Sequence, residues 1–314
     1  MIGSSAMTSR RIILKGIAGA GAAWLATGGS KTRQEDASSV PIRRAIPVSG
    51  EQIPVIGLGT YQAFDAGTSA SARAPLKEVL QGLVEDGGRV VDSSPMYGRA
   101  EEVVGDLAAE LGLRPSLFLA TKVWTSGRDA GVRQMEESFR LLRTQTMDLL
   151  QIHNLLDWQT HTATLREWKQ QGRVRYIGIT HYHEGAYDEL ERLIKTRQYD
   201  FVQLNYSIAE REAENSVLPL AQETGVAVIA NRPFAKASLF SRVRGKQLPE
   251  WTQDFDCSSW AQFFLKYIVS HPALTCAIPA TSNPEHMRDN MMAGVGRLPD
   301  AQTRRRMAQY LDEL

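Results

Sequence analysis

The sequence predicts an α/β protein of the (β/α)8 barrel (TIM barrel) class with an N-terminal β-hairpin. Three observations carry this prediction. Apolar runs of strand length alternate with amphipathic helical patterns along most of the 314 residues. Eight such units fit into roughly 240 residues, close to the ~250 of a typical barrel of this kind. Several of the strand candidates are continuous apolar runs, as parallel strands covered on both faces require. A doubly wound open sheet shares the alternation, but it carries a G-x-G-x-x-G fingerprint after its first strand. Here Gly57-Leu58-Gly59-Thr60-Tyr61 is followed by Gln62.

Taken in order, residues 43–56 read as the hairpin, because Ser49-Gly50 is a turn-favouring pair between two extended stretches. Strands are expected over 56–60, 89–93, 117–123, 147–153, 174–180, 201–205, 226–230 and 274–279. The first helix is expected over 74–85, with Leu76, Val79, Leu80 and Leu83 at helical spacing. Further helices follow over 101–111, 132–142, 162–170, 186–195, 216–223 and 260–269. An eighth begins at Pro284, a favoured first-turn residue, and an amphipathic segment over 301–311 closes the chain. Residues 234–258 form a long connection, which reads as a functional lid.

Residues 1–40 differ in kind. Arg10-Arg11, followed by Leu14-Lys15 and a Gly/Ala-rich apolar stretch to Ala26, resembles a twin-arginine export signal. Residues 27–40 then read as a disordered polar linker. The barrel is assigned to 41–314, and a periplasmic location through the twin-arginine export machinery is expected. The alternative is a cytoplasmic protein with a basic tail. No apolar run reaches the roughly 18–20 residues of a membrane span. Lys plus Arg number 36 against 35 Asp plus Glu, with no basic stripe, which argues against nucleic acid as a partner. Cys257 and Cys276 form no CxxC pair and read as two buried thiols.

In a barrel, reacting groups project from the C-terminal strand ends. Those ends supply Asp92, Lys122 and His153, with Tyr97 in the adjoining loop. Each alone has a structural explanation: a helix cap, a surface strand end, a core histidine. Together they form a proton donor for carbonyl reduction. A free phenol is a weak acid at neutral pH, and a nearby ammonium is expected to lower its pKa. Asp92 would keep Lys122 charged, and His153 would hydrogen-bond the carbonyl or share the proton. No side chain supplies hydride, so the reaction needs a cofactor.

These residues lie within motifs that resemble those of the aldo-keto reductases over nearly all of residues 43–311. The motifs are Gly57-Leu58-Gly59-Thr60, Asp92-Ser93-Ser94 with Tyr97-Gly98 and Glu101, Ala120-Thr121-Lys122-Val123-Trp124, and Gln151-Ile152-His153. Arg175 to Thr180, Gln203-Leu204-Asn205-Tyr206 and Ile278 to His286 continue the order. The resemblance implies an extended NADPH across the C-terminal mouth and the tetrad Asp92, Tyr97, Lys122, His153. It places Thr180 and Gln203 at the nicotinamide carboxamide and Thr60 and Asp92 near its ribose. It puts Thr281, Ser282, His286 and Asn290 at the adenosine end, with Tyr61, Trp124 and Asn154 lining the substrate mouth. Three departures accompany it. Thr180-His181 stands for the usual Ser-Asn. Asn231 stands where an aromatic often stacks on the nicotinamide. Ala280 and His286 stand where basic residues are common, leaving Arg232, Lys236 or Arg244 to meet a 2′-phosphate. NADP (NADPH) is the expected cofactor, a small-molecule carbonyl the expected substrate, and no metal ligand is assigned. Two other readings compete: a cofactor-binding accessory or sensor protein with little turnover, and a metal-dependent hydrolase using His161, His181 and His183.

Overall fold

The computed structural model describes residues 40–314. The expected signal and linker, 1–40, lie outside the described residues except for Val40. Strands β1 (Arg43–Ala45) and β2 (Gln52–Pro54) pair antiparallel as the predicted hairpin. Eight parallel strands follow: β3 (Leu58–Gly59), β4 (Val90–Asp92), β5 (Phe118–Val123), β6 (Met147–Ile152), β7 (Val174–Thr180), β8 (Phe201–Asn205), β9 (Ala227–Asn231) and β10 (Cys276–Ala277). They lie in sequence order, and parallel bridges Ile56–Ala277 and Gly59–Ala280 join the last to the first. The predicted barrel is therefore present.

Helices α1 (Ala70–Glu85), α2 (Ala100–Glu110), α3 (Arg128–Leu141), α4 (Trp158–Gln170), α5 (Tyr187–Lys195), α6 (Val217–Thr224), α7 (Ser238–Arg242), α8 (Trp260–Val269), α9 (Pro284–Met292) and α10 (Ala301–Asp312) complete the chain. Helix α1 starts four residues before the expected position. The Ser69 side chain caps it by accepting from Ala72 N–H, and Pro75 deprives only the carbonyl of exposed Ser71, which water can satisfy. Helices α3 and α4 likewise begin one turn early. The expected lid at 234–258 is a packed segment. It carries α7 and a 3-10 turn over Glu250–Phe255, and it buries Leu239, Val243, Phe255 and Cys257. Both cysteines are free and buried, as expected.

What positions the site is the alternation of side chains along each strand. Val90, Phe118, Leu149, Tyr176 and Phe201 fill the lower barrel interior, where Ile46 and Ile53 of the hairpin join them. Phe118, Tyr176 and Phe201 pack ring to ring with centroids 5.6–6.2 Å apart, pairs worth about 0.5–1.5 kcal/mol beyond their burial. Two or four residues further along the same strand faces come Asp92, Lys122, Gln151, Thr180 and Gln203. The interior thus turns from apolar to polar toward the C-terminal mouth. Gly178 makes room in this layer, since a Cβ there would lie 3.1 Å from Gln151 Cγ and 3.0 Å from the Phe201 carbonyl.

Candidate active site

The strand ends bring Asp92, Lys122, Tyr97 and His153 together. Lys122 Nζ donates to Asp92 Oδ2 at 2.5 Å and to the Ser93 carbonyl at 2.8 Å, with its side chain fully buried. The ammonium lies 5.0 Å from the Tyr97 ring centroid. The rings of Tyr97 and His153 meet edge to face at 5.8 Å. Asp92 Oδ1 accepts from Gln203 Nε2 at 2.9 Å and from Gln151 Nε2 at 3.1 Å. Ser94 Oγ and His153 Nδ1 are hydrogen-bonded at 2.9 Å.

The electrostatics correct one expectation. Burial raises the Tyr97 phenol above its ordinary value; Lys122 opposes the rise without reversing it, and Asp92 adds to it. Tyr97 is therefore a protonated donor at neutral pH rather than an acidified phenol. Burial alone would lower the Lys122 pKa, but Asp92 and Tyr97 together hold it above the ordinary value. Burial, followed by the Lys122 charge and His181, pushes His153 down to about 2, so the ring is neutral. Behind Lys122, buried Glu101 accepts from Thr121 Oγ1. Burial raises it to about 7 against the donors Thr121 and Ser138 and the Lys122 charge.

The mouth above this group is unfinished in a specific way. Buried polar atoms without partners among the described residues include Asn154 Oδ1 after β6, His181 Nδ1 after β7, Glu210 Oε2 after β8, and Asn231 Oδ1 and Arg232 Nε around the end of β9. Unsatisfied buried groups are costly and call for an unseen partner. Thr180 is buried at the same rim. An elongated polar ligand laid across consecutive strand ends would satisfy these atoms, which is the fit a nicotinamide nucleotide needs. Exposed aromatic rings flank the tetrad. Tyr61, 52% exposed, lies 5.0 Å from the Tyr97 ring, and Trp124, 41% exposed, lies 6.3 Å from that of His153.

Residues 55–308 match the Aldo/keto reductase family. The chain belongs to that family. Among curated relatives, methylglyoxal reductase YeaE of Escherichia coli (strain K12) is 29% identical over 257 residues, covering 79% of this chain and 88% of that protein. Aldo-keto reductase YhdN of Bacillus subtilis (strain 168) is 26% identical, covering 68% and 66%. Among solved structures, an aldo-keto reductase from Klebsiella pneumoniae in complex with NADPH superposes with a TM-score of 0.69 at 24% identity, covering 87% of this chain and 95% of that one. The holo form of aldo-keto reductase AKR11C1 from Bacillus halodurans gives 0.69 at 23%, covering 87% and 96%.

Within this aldo/keto reductase, the remaining expected residues divide into two sets. Thr60 is a buried strut: its hydroxyl bonds the Asp92 carbonyl at 2.9 Å and Ser93 Oγ at 3.0 Å. Both oxygens of Asp92 are engaged inside the protein, so its part is to hold Lys122. The Gln203 amide is likewise turned toward Asp92, while its Oε1 accepts from Asn231 Nδ2 at 3.4 Å. Asn231 also donates to the His181 carbonyl at 3.1 Å. Arg232 reaches across to the Tyr182 carbonyl at 2.5 Å, clasping the loops after β7 and β9. At α9, Asn283 caps the helix through Glu285 N–H at 2.8 Å, and Thr281 Oγ1 accepts from Asn283 N–H at 3.0 Å. Ser282 and His286 are exposed beside that helix start, and Asn290 is buried a turn further on.

The hydrolase reading finds no support in the histidines. His161 Nε2 bonds the Thr125 carbonyl at 2.7 Å, and among the described residues no three His, Cys, Asp or Glu side chains converge. The sequence reading assigned no role to Ser94, Gln151, Glu101 or Gln134. Gln151 could have been found, because it lies two residues from His153 on the same strand face. Gln134 of α3 accepts from Trp124 N–H at 2.6 Å and donates to the Trp124 carbonyl at 3.2 Å, fixing the mouth aromatic's backbone. That pairing has no local signature.

Proposed function

We propose that this protein reduces an aldehyde or ketone to an alcohol with NADPH. The observation that carries the reading is the convergence of Tyr97, the buried Lys122–Asp92 pair and a neutral His153 beneath a rim of unpartnered polar atoms. A nicotinamide held at this rim would be the source of the hydride that reduces the carbonyl carbon. Tyr97 donates its phenolic proton to the carbonyl oxygen, Lys122 stabilises the phenolate left behind, and solvent returns the proton. Neutral His153 orients the carbonyl by a hydrogen bond. Asn154, Thr180, His181, Asn231 and Arg232 are the residues that would hold the nicotinamide half, and Ser282, His286 and Asn290 the adenosine half. The open aromatic frame of Tyr61 and Trp124 suits a small carbonyl, and the Escherichia coli relative makes methylglyoxal the first probe. Absorbance of NADPH, followed with methylglyoxal and a panel of aromatic aldehydes, tests the reading; no carbonyl-dependent oxidation of NADPH or NADH overturns it.

Export is part of the same proposal. Arg10-Arg11, with the Leu14-Lys15 and Gly/Ala-rich stretch behind it, supports a twin-arginine signal and a periplasmic enzyme that travels folded with its nucleotide in place. Cell fractionation of the unaltered chain and of Arg10→Lys/Arg11→Lys decides it. Full-length protein confined to the cytoplasm in both cases rejects export.

A further inference from the structure

We propose that Ser94 sets the tautomer of His153, fixing its proton on Nε2 so that the ring presents a donor to the substrate carbonyl. The inference rests on the reductase reading above, and it makes Ser94 a positioning residue. Ser94 is fully buried just beyond β4, and its Oγ lies 2.9 Å from His153 Nδ1. The same oxygen accepts from Met96 N–H at 3.4 Å. Among the described residues the Ser94 hydroxyl has no other acceptor for its proton than Nδ1. If Nδ1–H were instead the donor, a buried hydroxyl proton would be left unpaired, a loss comparable to that of a full hydrogen bond. The stable arrangement therefore runs Met96 N–H to Ser94 Oγ, and Ser94 O–H to Nδ1.

A ring that accepts at Nδ1 and is neutral carries its proton on Nε2. Neutrality is secured by burial and by the ammonium of Lys122, with His181 adding to it. The substrate's carbonyl oxygen can only accept. Nε2–H attracts it, whereas the other tautomer would set a lone pair against its lone pairs. The Ser94 carbonyl also accepts from Tyr97 N–H at 2.9 Å. One serine thus ties the backbone of the proton donor and the ring of the orienting group to the same turn.

The test uses the full chain labelled with 15N-imidazole histidine, with His153→Gln assigning the resonance. NMR should show a pyridine-type Nδ1 and a protonated Nε2 in the unaltered protein. Ser94→Ala should give a mixed or reversed tautomer, and Ser94→Thr should restore the original one. With NADPH and methylglyoxal, Ser94→Ala should lower kcat about tenfold while leaving the NADPH Kd unchanged, the scale of one lost hydrogen bond. An unaltered His153 protonated on Nδ1, or a Ser94→Ala protein that keeps Nε2–H alone, overturns the proposal whatever the rates. The spectrum of the unaltered protein decides even if Ser94→Ala does not fold. Absence of all carbonyl turnover in the unaltered enzyme would count against the reductase reading and leave the tautomer to be read from the same spectra.

Discussion

Lys122 holds its ammonium 2.5 Å from Asp92 Oδ2, and neither side chain has appreciable contact with solvent. Such a pair contributes little net stability against an apolar replacement, but losing one partner strands the other charge. Lys122→Met should therefore cost about 3–5 kcal/mol in urea unfolding. The double variant Lys122→Met/Asp92→Asn should recover much of that loss, because no unpaired charge remains. Equal stability of the single and double variants would show that Asp92 is neutralised some other way.

Tyr97→Phe keeps the ring against His153 and Tyr61 and removes the proton. Turnover should fall by about 10²–10⁴-fold with nucleotide affinity retained. Near-unaltered turnover would remove Tyr97 from the chemistry.

The pH profile of carbonyl reduction follows from the same groups. The donor form of Tyr97 is required, and burial places its loss above the ordinary phenol range. The descending limb of kcat should therefore lie above about pH 10. His153, pushed down to about 2, should contribute no limb near neutrality. A limb near pH 6.5 that disappears in His153→Gln would contradict the neutral-ring assignment.

Glu101 makes a prediction about stability. Its folded-state pKa, about 7, lies above the 4.5 of an unburied glutamate. The folded protein thus favours the protonated form. The associated stability is complete below about pH 4.5 and is lost as pH rises through about 7. Glu101→Gln, which mimics the protonated acid, should be more stable than the unaltered protein at pH 8 by about 3 kcal/mol and nearly equal to it at pH 4.5. Thermal unfolding at the two pH values checks this; a difference independent of pH would show that folding does not raise the Glu101 pKa.

Nucleotide preference should respond to His286, exposed beside the start of α9. His286→Arg should raise the preference for NADPH over NADH about tenfold, because a guanidinium fork grips phosphate bidentately. Fluorescence titration with both nucleotides measures it, and an unchanged ratio would locate phosphate recognition elsewhere, with Lys236 or Arg244 next to be tested.

The sequence by itself determined the barrel and pointed to the four residues, Asp92, Tyr97, Lys122 and His153, that the strand ends bring together. Strand and helix periods are local, and alternation along a strand dictates that Lys122 shares a face with Ala120 and Phe118, and His153 with Leu149. The family motifs lie at those same strand ends. Tertiary structure alone decided what the tetrad rests on. Gln151 and Gln203 meet on Asp92 from sequence separations of 59 and 111 residues, and Ser94 meets His153 across 59. No short-range pattern encodes such meetings, because they depend on barrel closure and register. The direction of the Tyr97 shift was also beyond the sequence. The spacing of residues suggests a helpful lysine, but only the packed site shows that burial outweighs it.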